Sequence, residues 1–238
     1  MLNSVSHAII LAGGKGSRLR PYSTVLPKPL MPVGEYPILE IIVMQLRKFG
    51  IQRITFAVGY LNQLVQAYFG DGKKWDTQIT YSKEDRPLGT AGPIALVNDL
   101  SDNFIVMNGD ILTTLDYSAL MNFHLSTNSI ATVATCNKEL NINLGVLELG
   151  NGTEIKDYIE KPHYSYKISM GIYSFNSSVI RYIEKGENLD FPDLIKRLIK
   201  NKERVSAFNF EGYWSDIGTP EDYQLALDEF EDNKDIFI

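Results

Sequence analysis

Short, unbroken apolar runs alternate with longer amphipathic stretches along the first half of the chain. His7–Ala12 is such a run, ends in Gly-Gly, and suits a strand buried on both faces. Tyr36–Phe49 carries apolar residues at helical spacing, with a proline in its first turn and Gly50 beyond its end, and predicts a helix. Arg53–Val58 predicts a second buried strand, Leu61–Phe69 a short helix closed by Gly70, and Gln78–Tyr81 a third strand. Thr90–Asp99 predicts a helix, Phe104–Met107 a fourth strand, Tyr117–Ser126 a helix and Ile130–Cys136 a fifth strand. This βαβαβαβα order implies a largely parallel sheet with helices on both faces.

After Cys136 the pattern changes. Leu144–Leu149, Glu154–Glu160 and Ser169–Phe175 predict strands without helices between them, as in a small antiparallel extension. Leu189–Asn201 and Pro220–Glu231 predict late helices, with a strand Val205–Phe210 between them. No repeat, low-complexity tract or Pro/Ser-rich linker divides the 238 residues, so a single domain is expected. The acidic end, DEFEDNKDIFI, predicts a solvated helix end and tail.

Composition adds exclusions. The net charge of −6 lacks the basic field of a nucleic-acid surface, while leaving room for a local basic pocket. Cys136 is the one cysteine, so an internal disulfide is ruled out and a reducing compartment is the simpler reading. The N-terminal MLNSVSH has no basic stretch, and the apolar run after it is too short for a secretory leader. No apolar segment approaches the ~20 residues of a membrane span. A cytoplasmic protein without nucleic-acid or membrane partners is expected.

Candidate chemistry begins at the first strand's end. In open parallel sheets, ligands bind beyond the carboxyl ends of the strands, and Gly13-Gly14-Lys15-Gly16 occupies that position. Glycines there let backbone N–H groups approach phosphate oxygens. The spacing fits neither a P-loop, which needs GxxxxGK[ST], nor a dinucleotide GxGxxG, because Leu19 stands where the third glycine would be. A tight turn alone explains paired glycines, but not Arg18 and Lys28 bracketing a proline-rich loop.

LAGGKGSRLRP at 11–21 and LPKPLMPVGEYPILE at 26–40 resemble the signature of the sugar-1-phosphate nucleotidylyltransferases. The likeness continues, in the family's order, through RPLGTAGPI at 86–94, NGD at 108–110, EKP at 160–162 and GYWSDIGTPEDY at 212–223. The resemblance implies a Rossmann-like three-layer α/β/α fold with a mixed, mostly parallel central sheet. It implies a nucleotide-binding half over about 1–115 and a sugar-binding half over about 116–238. It also implies Mg²⁺-dependent joining of an NTP to a sugar 1-phosphate, releasing pyrophosphate. The left-handed β-helix of longer relatives is not expected, and dimers or tetramers are common in proteins the chain resembles.

That reaction brings two polyanions together, and its nucleophile is already an ionised phosphate. It calls for arginine, lysine, metal-binding carboxylates and backbone amides rather than a nucleophilic triad. By resemblance Arg18 holds the triphosphate, Lys28 contacts phosphate at the reacting centre, and Asp110 and Asp216 bind Mg²⁺. Two carboxylates are enough for Mg²⁺ when phosphate oxygens and waters complete its shell. Leu11, Ala12, Gly13, Gly14, Lys15, Gly16, Glu84, Gly89 and Thr90 are expected at the nucleotide. Asn108, Gly145, Glu160, Lys161, Gly171 and Tyr173 are expected at the sugar, although Met170 replaces the Asn or Thr that many relatives place before that glycine. Arg20 is expected to be structural or solvent-facing.

Glu84 bears on the base. Guanine offers two adjacent donors that one acceptor-only carboxylate can take, whereas uracil and thymine suit an amide better. PKPLMPV and PLGTAGP look most like mannose-1-phosphate and D-manno-heptose-1-phosphate guanylyltransferases. Some muramate uridylyltransferases share the PLGTAG context and also carry an acid nearby, so uridylyl, thymidylyl or cytidylyl transfer stays open. A catalytically silent regulatory subunit would have lost Arg18, Lys28 or a metal aspartate. A glycosyltransferase would often show DxD, where this chain has Asp110-Ile-Leu.

Overall fold

The computed structural model describes residues 7–14, 16–19 and 21–238. The expectations for Lys15, Arg20 and the first six residues lie outside them. Seven strands form the central sheet: β1 (His7–Ala12), β2 (Arg53–Val58), β3 (Gln78–Lys83), β4 (Asn103–Asn108), β5 (Ala131–Asn141), β6 (His163–Asn176) and β7 (Val205–Asn209). Their order across the sheet is β7-β5-β6-β4-β1-β2-β3. β1, β2, β3 and β4 pair in parallel, as do β5 and β7. β6 runs antiparallel to both its neighbours, β4 and β5.

Strand alternation supplies both faces of the sheet. Ala8, Ile10 and Ala12 of β1 enter one core with Ile54 and Phe56 of β2 and Ile105 and Met107 of β4. Ile9 enters the opposite core with Phe104 and Val106. The first core is covered by α1 (Ile38–Lys48), α2 (Asn62–Phe69), α3 (Tyr117–Thr127), α5 (Pro220–Asp232) and the short α6 (Lys234–Phe237). The second is covered by α4 (Phe191–Lys200) and the 3₁₀ turns Gly92–Leu96 and Ser177–Tyr182. The result is the three-layer α/β/α fold with a mixed, mostly parallel sheet.

Three segments depart from the sequence reading. Thr90–Asp99 is not an α-helix: only the 3₁₀ turn Gly92–Leu96 forms, with Gly92 and Pro93 at its start. Strands β5 and β6 run on past β7 as an arm in which 136–141 pairs with 163–168. The acidic end is not solvated throughout, because Phe237 is fully buried and packs on Phe230 with ring centroids 5.7 Å apart. Among the described residues no helix is long and apolar enough to cross a membrane.

Candidate active site

The carboxyl ends of β1, β2 and β4 open onto a cleft of about 640 Å³. Leu11, Ala12, Gly13 and Gly14 line it from β1, Ala57–Tyr60 from β2, and Asn108–Asp110 from β4. The loops converge because Gly59 has no side chain. A Cβ there would lie 2.9 Å from the Gly13 carbonyl oxygen and 3.0 Å from Glu84 Oε1. The Tyr60 N–H donates to that same Gly13 carbonyl at 3.3 Å.

Glu84 stands just beyond β3, half-buried, with Oε2 accepting the Leu88 N–H at 3.0 Å. Its Oε1 lies against Gly13 and Gly59. Gly89 adopts φ +74° and sits so close to the Leu189 carbonyl that a Cβ would come within 2.5 Å. Thr90 lines the cleft but is also committed to α4: its N–H and hydroxyl donate to Asp190 Oδ1, and its Oγ1 accepts the Phe191 N–H at 2.9 Å. Arg86 donates to the Gly186 carbonyl at 2.9 Å. The 84–90 loop is therefore fastened to the segment entering α4.

At the other end of the cleft Lys28 forms an ion pair with Asp110 Oδ2, and its Nζ is 3.9 Å from Asp216 Oδ1. Asp110 follows β4. Asp216 belongs to a short strand, Trp214–Asp216, paired antiparallel with Ile111–Thr113. The Ile217 N–H donates to the Asp110 carbonyl at 3.0 Å and locks the two aspartates side by side. Asp110 Oδ1 is buried with no hydrogen-bond partner. Burial, then the neighbouring Asp110, push the Asp216 carboxyl above its usual pKa, while Lys28 and Arg18 pull it down. An orphaned carboxylate oxygen beside a second carboxylate suits a divalent cation. No group of three or more His, Cys, Asp or Glu that could hold a metal occurs among the described residues, so the remaining ligands would have to be phosphate oxygens and water.

Arg18 lies in the 3₁₀ turn Ser17–Leu19, with its guanidinium beside Gly218, 3.6 Å from where a Cβ would stand. Gly16 holds φ +60°, and its carbonyl accepts the Ser23 hydroxyl at 2.6 Å and the Leu19 N–H at 2.9 Å.

The expected sugar residues divide into two groups. Gly171 adopts φ +71° opposite Asn108, whose Nδ2 would lie 2.7 Å from a Cβ there. The register of β6 against β5 shifts between Ser169 and Tyr173, which accommodates this turn. Met170 is fully buried in the core, and its carbonyl accepts the Trp214 indole N–H at 2.9 Å. Tyr173 is buried, stacked on Phe191 at 4.1 Å, and its hydroxyl is 3.1 Å from Ser169 Oγ. Of the expected sugar residues only Asn108 lines the cleft; Gly145, Glu160 and Lys161 flank the exposed ladder of Val146–Leu149 with Ile155–Ile159. Gly145 lies under the Tyr158 hydroxyl, which donates to Glu160 Oε2 at 3.1 Å, and Lys161 has φ +45°.

Tyr60, Asp85 and Arg86 line the cleft and were not expected there. Tyr60 had a signal in the sequence: it follows a glycine at the carboxyl end of a parallel strand, the position already used for β1 and β4.

The nucleotidyl transferase family model matches residues 7–233. A UTP–glucose-1-phosphate uridylyltransferase from Synechocystis sp. is 33% identical over 92% of this chain and 62% of its own length. A mannose-1-phosphate guanyltransferase from Schizosaccharomyces pombe is 35% identical over 91% of this chain and 62% of its own. The chain thus spans under two thirds of the length of these curated relatives. The solved structure of HddC from Yersinia pseudotuberculosis is 27% identical and superposes with a TM-score of 0.73 over 95% of this chain and all of that one. The same protein is also solved with GMP-PN. The chain belongs to the nucleotidyl transferase family.

Proposed function

We propose that this protein joins a nucleoside triphosphate to a sugar 1-phosphate, releasing pyrophosphate, and that the nucleotide is GTP and the sugar mannose or a manno-heptose. The observation that supports the reaction most is the placing of Lys28 between Asp110 and Asp216 at one end of the glycine-walled cleft. The attacking group is an ionised phosphate, so the site needs no general base. In keeping with this, the three histidines of the chain are engaged elsewhere: His7 with Thr55, His124 with Thr132 and His163 with Asn141.

Lys28 neutralises charge at the reacting phosphate, and Arg18, with its planar fork, holds the departing pyrophosphate. The backbone of Gly13 and Gly14 lets the phosphates approach closely. Asp110 and Asp216 would hold Mg²⁺, with Asp110 Oδ1 supplying a free buried oxygen. When bound, the cation screens the two polyanions from one another and offsets charge on the leaving group. Asn108, opposite Gly171, would face the sugar, and the exposed Glu160–Lys161 pair would have to approach the sugar 1-phosphate from the neighbouring ladder.

Glu84 supports guanine. Leu88 fixes one carboxylate oxygen, and the acceptor-only group matches the adjacent N1–H and N2–H₂ donors of that base. The guanyltransferase relative and the HddC complex with GMP-PN support it also. Uridylyl transfer is the second reading, favoured by the Synechocystis relative.

The test is pyrophosphate release with Mg²⁺, crossing GTP, UTP, CTP, ATP and dTTP with mannose, manno-heptose, glucose and N-acetylated sugar 1-phosphates. Release with GTP and a manno sugar is expected. Release only with another base would discard the role given to Glu84, and release with no pair would discard the reaction.

A further inference from the structure

The loop that bears Lys28 has few backbone N–H groups to donate. Pro27, Pro29 and Pro32 have no N–H to donate, and the preceding surface residues Val25 and Leu26 are 75% and 41% exposed. Its own turn gives only two bonds, Leu30 N–H to Pro27 and Met31 N–H to Lys28. Beyond these, Lys28 pairs with Asp110, Pro32–Val33 pairs antiparallel with Tyr36–Pro37, Met31 and Val33 are buried, and two carbonyls accept bonds from outside this turn. Met31 accepts from the Ile38 N–H at 3.0 Å, and Pro32 accepts from the Tyr223 hydroxyl at 2.5 Å.

Tyr223 lies in the first turn of α5. A reciprocal capping box between Thr219 and Asp222 fixes that turn. Its ring meets Tyr22, with centroids 5.9 Å apart, just beyond the turn that carries Arg18. Gly218, next to the cap, abuts the Arg18 guanidinium, and Asp216 is two residues further back. One helical turn thus touches the Arg18 segment and the Lys28 loop while continuing directly from the strand of Asp216.

We infer that Tyr223 is a positioning residue, which sets Lys28 against phosphate through the Pro32 carbonyl and aligns the Arg18 turn through Tyr22. The inference rests on the proposed phosphate role of Lys28 and deepens it. It does not depend on the base or sugar, because the triphosphate is common to all the transfers considered.

The test is therefore binding of inorganic triphosphate, which includes the position of the reacting phosphate, in MgCl₂, measured by calorimetry on the whole protein. Tyr223→Phe keeps the ring and removes only the hydroxyl. It should weaken binding about fivefold to tenfold, as expected for one hydrogen bond, with the circular dichroism spectrum unchanged. In a Lys28→Met background the same change should alter affinity less than twofold, since Tyr223 acts through Lys28. Unchanged affinity in Tyr223→Phe, or an equal loss with and without Lys28, would overturn the inference. A wild-type protein that does not bind triphosphate would remove the phosphate role of Lys28 itself, an outcome separate from both.

Discussion

Lys28 and Asp110 are ion-paired across the end of the cleft, and the same ammonium lies 3.9 Å from Asp216. Without ligands, the lysine is the counter-ion of the proposed metal carboxylates. In the proposed mechanism, substrate phosphate would offer Lys28 a new partner and free the pair. Lys28→Met should thus do two opposite things. Turnover should fall by ~10²-fold or more, as for loss of a group stabilising the reacting charge. Affinity for free Mn²⁺, a spectroscopic substitute for Mg²⁺, should rise by about tenfold, corresponding to ~1.4 kcal/mol of removed competition. Paramagnetic titration measures this directly. Weaker Mn²⁺ binding in the variant would mean that Lys28 does not occupy the cation's place.

Asp110→Asn should cost at least ~10²-fold in turnover while the fold survives. The side chain's one oxygen without a partner has no structural bond to lose. Circular dichroism and pyrophosphate release on the same sample would check this. Wild-type turnover would remove Asp110 from the mechanism.

Glu84→Gln exchanges an acceptor-only group for one that donates and accepts. The Leu88 contact survives through the amide oxygen. The ratio of kcat/KM for GTP over UTP should fall by ~10-fold or more, in line with the worth of one charge-assisted hydrogen bond. An unchanged ratio would assign base reading to another cleft residue, with Arg86 and Tyr60 the nearest alternatives.

Gly171→Ala would place a methyl 2.7 Å from Asn108 Nδ2, on a backbone at φ +71°. Asn108 has to move. We expect kcat/KM for the sugar phosphate to drop by about tenfold, since small misplacements of positioning groups are costly, while nucleotide affinity stays within twofold. Equal losses for both substrates would show general disruption rather than a sugar-side role.

Acid should weaken the fold through two histidines. Burial lowers His7 to a pKa of about 4, helped by Arg53, which donates to Nδ1 and leaves no room for a second proton. Burial alone lowers His124 to about 4, where Thr132 meets Nδ1. An unfolded chain takes up these protons near pH 6.5, the folded one only near 4. Their contribution is complete above 6.5 and is lost as the pH falls toward 4, to the extent of roughly 3 kcal/mol each. His124→Gln should flatten the decline of melting temperature over that window. A slope equal to the wild type would exclude His124 as a source.

Much of this was legible in the sequence. Strands β1, β2 and β4 are continuous apolar runs, and their ends carry the glycine loop, Gly59 and Asp110, so period and position were enough. Thr90–Asp99 misled because its apolar spacing is helical, yet Gly92 and Pro93 shorten it to a 3₁₀ turn. Phe237 misled because charged neighbours concealed its burial against Phe230. The β6 bulge at 170–172 was invisible, because it depends on pairing with β5 and on the Trp214 bond to the Met170 carbonyl. Tyr223 was invisible for a related reason: its partner is 191 residues away in the chain.

The short ladder joining Ile111–Thr113 to Trp214–Asp216 has a consequence for how the molecule is made. The strands that wall the nucleotide cleft leave the ribosome long before the segment bearing Asp216. A nascent chain carrying β1 to β4 still lacks the α4 segment that fastens the 84–90 loop, the second carboxylate, the α5 turn behind Lys28, and β6, which separates β4 from β5. Domains of this size generally fold as units during synthesis. The cleft and its proposed metal carboxylates are thus completed only after the segment entering α4, and then the strand of Asp216, have been made.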